Sequence, residues 1–418
     1  MTETFAGCAA ASTDSTPRST KVPVEISSVR PEPGKIALKA PRRTKPPKHI
    51  ADFDMAGRRE FLKELGYQPF RASQLSKHYF ERLVNDPAQM TDLPARDRDE
   101  IVSRAMPQLL TPVRTLEADG GDTLKVVHRL FDGALIESVI MRYDNRVTMC
   151  ISSQAGCGMN CPFCATGQQG LTRNLSTAEI VEQVVAGARY LKQMKGLDKA
   201  DGGSEDTRPL RVSNIVFMGM GEPMHNLSAM REALAVLAHK DGRALSLRRV
   251  TVSTCGIIDG IYDLADRGPA VRLALSLTTA DPDLREELMP IAKSQPLEKL
   301  GQAVRHYSDK SGYRCTLEAV LLKGINTGEQ SARNFIRFAR GLPVHINLIP
   351  WNPIDGLPYE TPDAAEVAAF CRRLQEAGLN VTVRTKRGTS IAGACGQLGV
   401  VKDTSEFFTG VKNGTKDL

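Results

Sequence analysis

No run of 18 apolar residues occurs anywhere in this chain of 418 residues, so no membrane-spanning helix is expected. The start of the chain lacks an apolar segment behind a charged one, which argues against a secretory signal and for the cytoplasm. A disulfide framework is missing too: nine cysteines is an odd number, and they crowd into one motif, as suits a reducing compartment. A strong charge imbalance is absent from most of the chain. Of the net +7, residues 1–50 carry +5, from nine Lys/Arg against four Asp/Glu, leaving +2 for the other 368. Any nucleic-acid site in the folded part must therefore be a local patch. What remains, 41% hydrophobic and 25% charged, is the composition of a globular protein with an ordinary core.

Residues 1–50 also hold seven prolines and no helical or strand periodicity. They read as a disordered basic leader, because such a segment cannot offset chain entropy by burial. Residues 51–110 carry apolar positions at helical spacing, among them Phe61, Leu62 and Leu65, with Gly66 and Pro69 as breakers and Thr91 as a candidate N-cap. This small helical domain, with Arg71, Lys77 and Arg82 expected to be exposed, suits RNA docking. Residues 111–147 switch to a strand period, with turn signals at Asp132-Gly133 and Asp144-Asn145, and form a β-hairpin extension or linker.

From about residue 148 to 390 strands and helices alternate. Strands are expected at 148–153, 213–218, 250–254, 271–277, 315–321, 345–349 and 380–385, with helices at 177–194, 228–239, 297–308, 331–340 and 362–377. Near-continuous apolar strands such as Ile215-Val216-Phe217 and Leu273-Ala274-Leu275 indicate a parallel sheet covered by helices. The fold class is α/β, a partial (β/α)6 barrel. Residues 195–210, rich in Gly, Asp and Lys, read as a surface insertion, and 391–418 as a loop and tail.

The most telling motif is Cys157-Gly158-Met159-Asn160-Cys161-Pro162-Phe163-Cys164. Three thiolates in one loop fall one short of a closed tetrahedral shell, and a 4Fe–4S cluster so held keeps one iron open for a small molecule. A zinc site completed by a remote residue is the competing reading, and three unrelated buried thiols the bland one. Polar and glycine positions then recur at the ends of successive strands, where a β/α barrel keeps its chemistry. Gly221 and Glu222 follow the second, Ser253 ends the third, Ser276 the fourth, and Asn352 follows the sixth. Glu222 could accept hydrogen bonds from an ammonium group, and the serines and Asn352 could address ribose hydroxyls or a carboxylate.

Cys157 to Cys164 followed by Ala165-Thr166-Gly167-Gln168-Gln169-Gly170, then Gly219-Met220-Gly221-Glu222-Pro223, Val252-Ser253-Thr254, Leu348-Ile349-Pro350-Trp351-Asn352-Pro353 and Ala394-Cys395-Gly396, resembles the RNA adenine methyltransferases of the radical S-adenosylmethionine class. More closely it is similar to the dual-specificity family acting on 23S rRNA and tRNA, over about residues 55–400. That resemblance implies methylation of adenine C2, at position 2503 of 23S rRNA and 37 of a subset of tRNAs. It implies a cluster on Cys157, Cys161 and Cys164, and S-adenosylmethionine on Gly221, Glu222, Ser253, Ser276, Leu277, Thr278 and Asn352. It also implies methyl transfer through Cys395, proton removal by Glu137, and release by Cys150 through a transient disulfide with Cys395. Adenine C2 has no lone pair to attack a sulfonium methyl, which is why a radical route is needed. A flavodoxin-like electron donor and a monomeric state complete the expectation. The sibling activity at C8 shares these motifs. Two departures touch the adenosine pocket: the family commonly has His where Thr278 stands, and Thr-Ser-Gly where this chain has Thr254-Cys255-Gly256.

Overall fold

The computed structural model describes residues 45–200 and 209–399, with the side chains of 195–200 left aside. The leader up to residue 44, residues 201–208 of the 195–210 insertion and the tail from 400 lie outside the described residues.

Chain entry is earlier than the basic composition suggested. His49 and Ile50 are already buried, and Ile50–Asp52 forms a 3-10 turn. The helical domain follows as α1 (Met55–Glu64), α2 (Arg71–Ser76) and α3 (Arg98–Ala105). Asp54 caps α1 through the Gly57 amide, and Gly66 at φ 86° turns the chain out of it, as its sequence position foretold. Thr91 does not cap a helix. The third helix begins seven residues later, and Asp92 instead meets buried His78 at 2.5 Å. Of the three cations expected on the surface, Lys77 and Arg82 are exposed, whereas Arg71 is half-buried, bonded to Gln74 and stacked on Phe70 at 4.6 Å.

Ten strands form one open sheet. Four are an antiparallel meander: β1 (Leu110–Ala118), β2 (Thr123–Leu130), β3 (Leu135–Tyr143) and β4 (Arg146–Cys150). A separate hairpin, β5 (Gln154–Cys157) with β6 (Gly170–Asn174), brackets the cysteine loop and its short helix α4 (Ala165–Gln168). Then come α5 (Thr177–Ala200), β7 (Val212–Phe217), α6 (Leu227–Ala238), β8 (Val250–Thr254), α7 (Ile258–Arg267), β9 (Arg272–Ser276), α8 (Pro282–Leu288), α9 (Leu297–Ser311), β10 (Cys315–Leu321), α10 (Glu329–Ala339), β11 (Val344–Pro350), α11 (Ala364–Glu376) and β12 (Val381–Val383). Strands β4, β7, β8, β9, β10, β11 and β12 pair in parallel in that order. Six helical crossovers thus join seven parallel strands, the expected partial barrel with its extension attached in the same sheet. Helix α5 runs to Ala200, six residues into what read as an insertion.

One side chain locks the helical domain to the barrel. Arg58, 1% exposed, donates from Nε to the carbonyls of Ile50 (3.1 Å) and Phe53 (3.0 Å). Its Nη1 reaches Ser76 Oγ and, across the domain boundary, the Asp241 carbonyl, both at 3.1 Å, while the guanidinium sits 4.4 Å from the Phe80 ring. Burial lowers its pKa to about 10, still charged at neutral pH. Arg58→Ala strands those acceptors and should cost on the order of 3 kcal/mol. Urea unfolding checks this: an unshifted midpoint would show that the lock carries no load.

Candidate active site

The C-terminal ends of the parallel strands surround a cavity of ≈ 1060 Å³. Cys157, Cys161 and Cys164 line it from the β5–β6 loop. Opposite them stand Gly221 and Glu222 after β7, Ser253 on β8, Ser276 and Thr278 at the end of β9, Glu318 on β10, Asn352 after β11, Arg384 after β12, and Cys395. Residues separated by more than 230 positions therefore converge, and all but one of the expected cluster and S-adenosylmethionine positions are among them. The exception is Leu277: its side chain is fully buried away from the cavity and its amide donates to the Glu318 carbonyl at 2.9 Å.

The cysteine loop is held by backbone geometry. Gly156, at φ 77°, lets β5 pass so close to β6 that a Cβ there would stand 2.0 Å from the Gly170 carbonyl oxygen. Trp351, after β11, donates its indole N–H to the Phe163 carbonyl at 2.9 Å and anchors the far side of the loop. Burial pushes the Cys157 thiol up to about 12 and the Cys161 and Cys164 thiols up as well, so metal loading must displace protons. Among the described residues no group of three His, Cys, Asp or Glu side chains is drawn together around a single ion.

Several buried polar atoms point to a bound ligand. Thr278 Oγ1 and Asn352 Oδ1 are buried on the cavity wall without a hydrogen-bond partner. Thr278 also sits at φ 60°, a conformation that β-branched residues avoid. The remaining expected groups are partly committed to the protein. Glu222 accepts from the Met224 amide (3.0 Å) and the Cys255 amide (2.8 Å), one per oxygen, which leaves one lone pair on each. Ser253 donates to the Phe217 carbonyl. Arg285, 1% exposed, holds the Cys255 and Leu277 carbonyls and so fixes the spacing between the ends of β8 and β9.

A second cavity adjoins the first. Cys150, Met218, Asn352, Arg384, Tyr143, Arg387 and Cys395 line it, and Cys395, Asn352 and Arg384 belong to both. Every described cysteine is a free thiol, Cys150 and Cys395 included, so the expected bond between them is not formed here. Burial, with Cys395 beside it, pushes the Cys150 thiol up to about 12, and the Arg384 guanidinium opposes that. At the mouth, Tyr143 is stacked against Arg146 at 4.0 Å and Arg387 at 4.2 Å. With Lys386 this makes a cationic, aromatic rim on a fold that is near neutral overall. Neither Arg384 nor Tyr143 stood out in the sequence.

Glu137 lies on β3, 1% exposed, and lines neither cavity. Lys125 Nζ on β2 is 3.2 Å from its Oε2, although neither carboxylate oxygen has a well-directed hydrogen bond. Lys125 also donates to the Ala392 carbonyl at 3.2 Å, so the 392–399 loop covers the pair. Burial raises the Glu137 pKa; Lys125 and the Gly399 amide pull it the other way.

Comparison with known proteins places this arrangement. Residues 48–106 match the ribosomal RNA large subunit methyltransferase N-terminal domain family. A protein of Kocuria rhizophila named as dual-specificity RNA methyltransferase RlmN is 52% identical over 91% of this chain and 99% of its own. One of the same name from Thermobifida fusca is 48% identical over 88% and 98%. The crystal structure of a radical SAM methyltransferase from Sphaerobacter thermophilus superposes with a TM-score of 0.78 at 38% identity, over 84% of this chain and 99% of that one.

Gly156→Ala should unfold the β5–β6 hairpin, since the added methyl meets backbone on a strained φ. A loss of about 3 kcal/mol would appear in calorimetry as a lower unfolding midpoint together with reduced iron retention.

Proposed function

This chain belongs to the RlmN dual-specificity RNA methyltransferases, radical S-adenosylmethionine enzymes, and from that premise we propose that it methylates C2 of an adenine in 23S rRNA and in tRNA through a methylated Cys395. The observation that carries this reading is the position of Cys395 on the wall shared by two cavities, one holding the trio of cluster thiols and the other Cys150. A thiol that only packed, or a resting redox pair, would not need access to both.

Cys157, Cys161 and Cys164 would hold the 4Fe–4S cluster, which when bound supplies the electron for reductive cleavage of S-adenosylmethionine. The unpartnered Thr278 Oγ1 and Asn352 Oδ1, with the free lone pairs of Glu222 and the hydroxyls of Ser253 and Ser276, would orient that molecule. Gly221 keeps the wall thin beside it, as a Cβ there would meet the Gln154 side chain at 2.4 Å. Leu277 contributes through backbone alone. Cys395 accepts the methyl group, whose carbon becomes bonded to the base; the Cys150 thiolate then attacks the Cys395 sulfur, breaking its bond to that carbon and leaving a Cys150–Cys395 disulfide that an external thiol reductant reopens. The Arg384 guanidinium borders both thiols and favours the anionic form of Cys150. Glu137, whose pKa burial raises, takes the ring proton once the 392–399 loop uncovers it, since it lines neither cavity while the loop is seated. The Tyr143–Arg387 rim offers a stacking surface to RNA entering the mouth.

The direct test is nucleoside mass spectrometry of 23S rRNA and tRNA made with and without the gene; 2-methyladenosine that persists in its absence would refute the reading. With Cys150→Ala the expected outcome is at most one turnover and RNA covalently trapped on the protein, visible on a denaturing gel. Cys395→Ala should trap nothing while retaining its iron.

A pH profile tests Glu137. Because burial holds its pKa above the ordinary carboxylate range, the basic form accumulates only as pH rises through that elevated value. The methylation rate should therefore climb with pH there. Lys125→Met removes the cation that favours the carboxylate, and should move the acid limb to higher pH; an unmoved limb would assign the proton to another group.

A further inference from the structure

We propose that a basic groove at the opposite end of the parallel sheet from the thiols grips the phosphate backbone of the RNA substrate, far from the target adenine. Its walls come from two places. Arg59 and Lys77 stand on the helical domain; Arg211, Lys240 and Arg243 stand where the chain enters β7 and β8. Those entries are the N-terminal strand ends, whereas every cavity thiol and polar group lies beyond the C-terminal ends. The six residues of β7 alone separate the two rims by about 20 Å, at roughly 3.3 Å per residue.

Three observations raise this groove above an ordinary solvated surface. Cations outnumber acids along it five to two, Glu81 and Asp241 being the acids, in a folded region that is close to neutral overall. Two of its arginines are also crowded together. Arg211 donates to the Arg243 carbonyl at 3.1 Å, and burial, with the Arg211 charge added to it, depresses the Arg243 pKa. No carboxylate pairs with either one among the described residues, and like charges so placed are unfavourable until an anion arrives. Thirdly, the groove is rigid. Buried Arg58 bonds Ser76 on one wall and the Asp241 carbonyl on the other, and Phe80 packs between them. Exposed Arg249 and Arg272 prolong the same rim under β8 and β9, which are paired neighbours. A rigid row of cations several residues long fits the repeated charges of a nucleic-acid backbone better than a single small anion.

This inference rests on RNA being the substrate, and the test separates the two. The holoenzyme and its Arg59→Glu/Lys77→Glu/Lys240→Glu variant would be compared on full-length tRNA and on a hairpin of a few base pairs carrying the target adenine. Arg372→Glu/Arg373→Glu, on the exposed face of α11, serves as the control for charge alone. For the groove variant, affinity for the long RNA should fall about 100-fold at low salt. The slope of log affinity against log salt should shrink by about 2, near 0.7–0.9 for each lost phosphate contact. Hairpin methylation and the cluster absorbance should stay as in wild type. An unchanged slope on the long RNA would overturn the proposal, as it would if the groove took only free phosphate. An equal loss on the hairpin would overturn it too, by showing that the effect is not remote. Wild-type protein that methylates neither RNA would instead sink the proposed reaction, while the salt slope still decides the groove.

Discussion

Of the hydrogen bonds that hold the C-terminal loop against the barrel, beside those from Lys125 and Gln169, four tie it to the cluster loop and to the end of β11. The Ala165 amide donates to the Gly396 carbonyl at 2.8 Å, and Thr166 Oγ1 to the Leu398 carbonyl at 2.6 Å. Asn352 donates to the Cys395 carbonyl at 3.0 Å and Gln397 to the Pro353 carbonyl at 2.8 Å. Two partners belong to the helix that follows the cluster loop and two to the end of β11. The loop therefore reads the state of both structures through its backbone. At about 1 kcal/mol net for each bond, the attachment is worth some 4 kcal/mol. That is firm enough to place Cys395 between two cavities, yet weak beside the binding energy of a large RNA.

The strand ends could not bear so many polar groups without a supporting network. Asn226 satisfies the Ser153 and Leu175 carbonyls, both at 2.8 Å, and Gln183 bonds both the amide and the carbonyl of Ser152. Arg173 is held between Asp132 and Glu179, tying β6 to the β2–β3 turn and to α5. Each of these groups is buried and would be costly if left unpaired, so together they allow few alternative arrangements. Among the buried atoms left without a partner, those of Thr278 and Asn352 are on residues that line the thiol cavity.

How much of this could be read beforehand follows from burial. The central parallel strands are largely buried, β9 and β10 above all, and such apolar runs the sequence displays openly. β1 escaped notice as a strand because it lies at the sheet edge, alternates in exposure, contains Pro112 and breaks register beside it. α7 is only ten residues between Gly256 and Gly268-Pro269, and α8 is seven, so both passed for loop. At the site, the cysteine spacing and the strand-end residues were legible because each is local or periodic. The seats of Arg384 and Tyr143 were not. Tyr143 meets Arg387 across 244 positions, and nothing in either neighbourhood signals the encounter. Leu277 falls outside the cavity lining because a motif marks a segment, whereas alternate side chains of a strand end turn away from the cavity.

Charge placement completes the logic of the molecule. Thiols need burial to be protected from water and oxidants, yet burial pushes the Cys150 thiol up to about 12, where it is inert. A cation close by is the inexpensive remedy, and Arg384 occupies that place without a carboxylate within salt-bridge distance among the described residues. A buried guanidinium is itself unfavourable unless anionic groups face it. Cys395, Glu318 and Cys150 favour its charge, which couples the ionisation of Cys150 to the integrity of β12 and of the loop that brings Cys395. In this molecule reactivity is thus a property of the closed arrangement, and a displaced loop would leave Cys150 as an ordinary buried thiol.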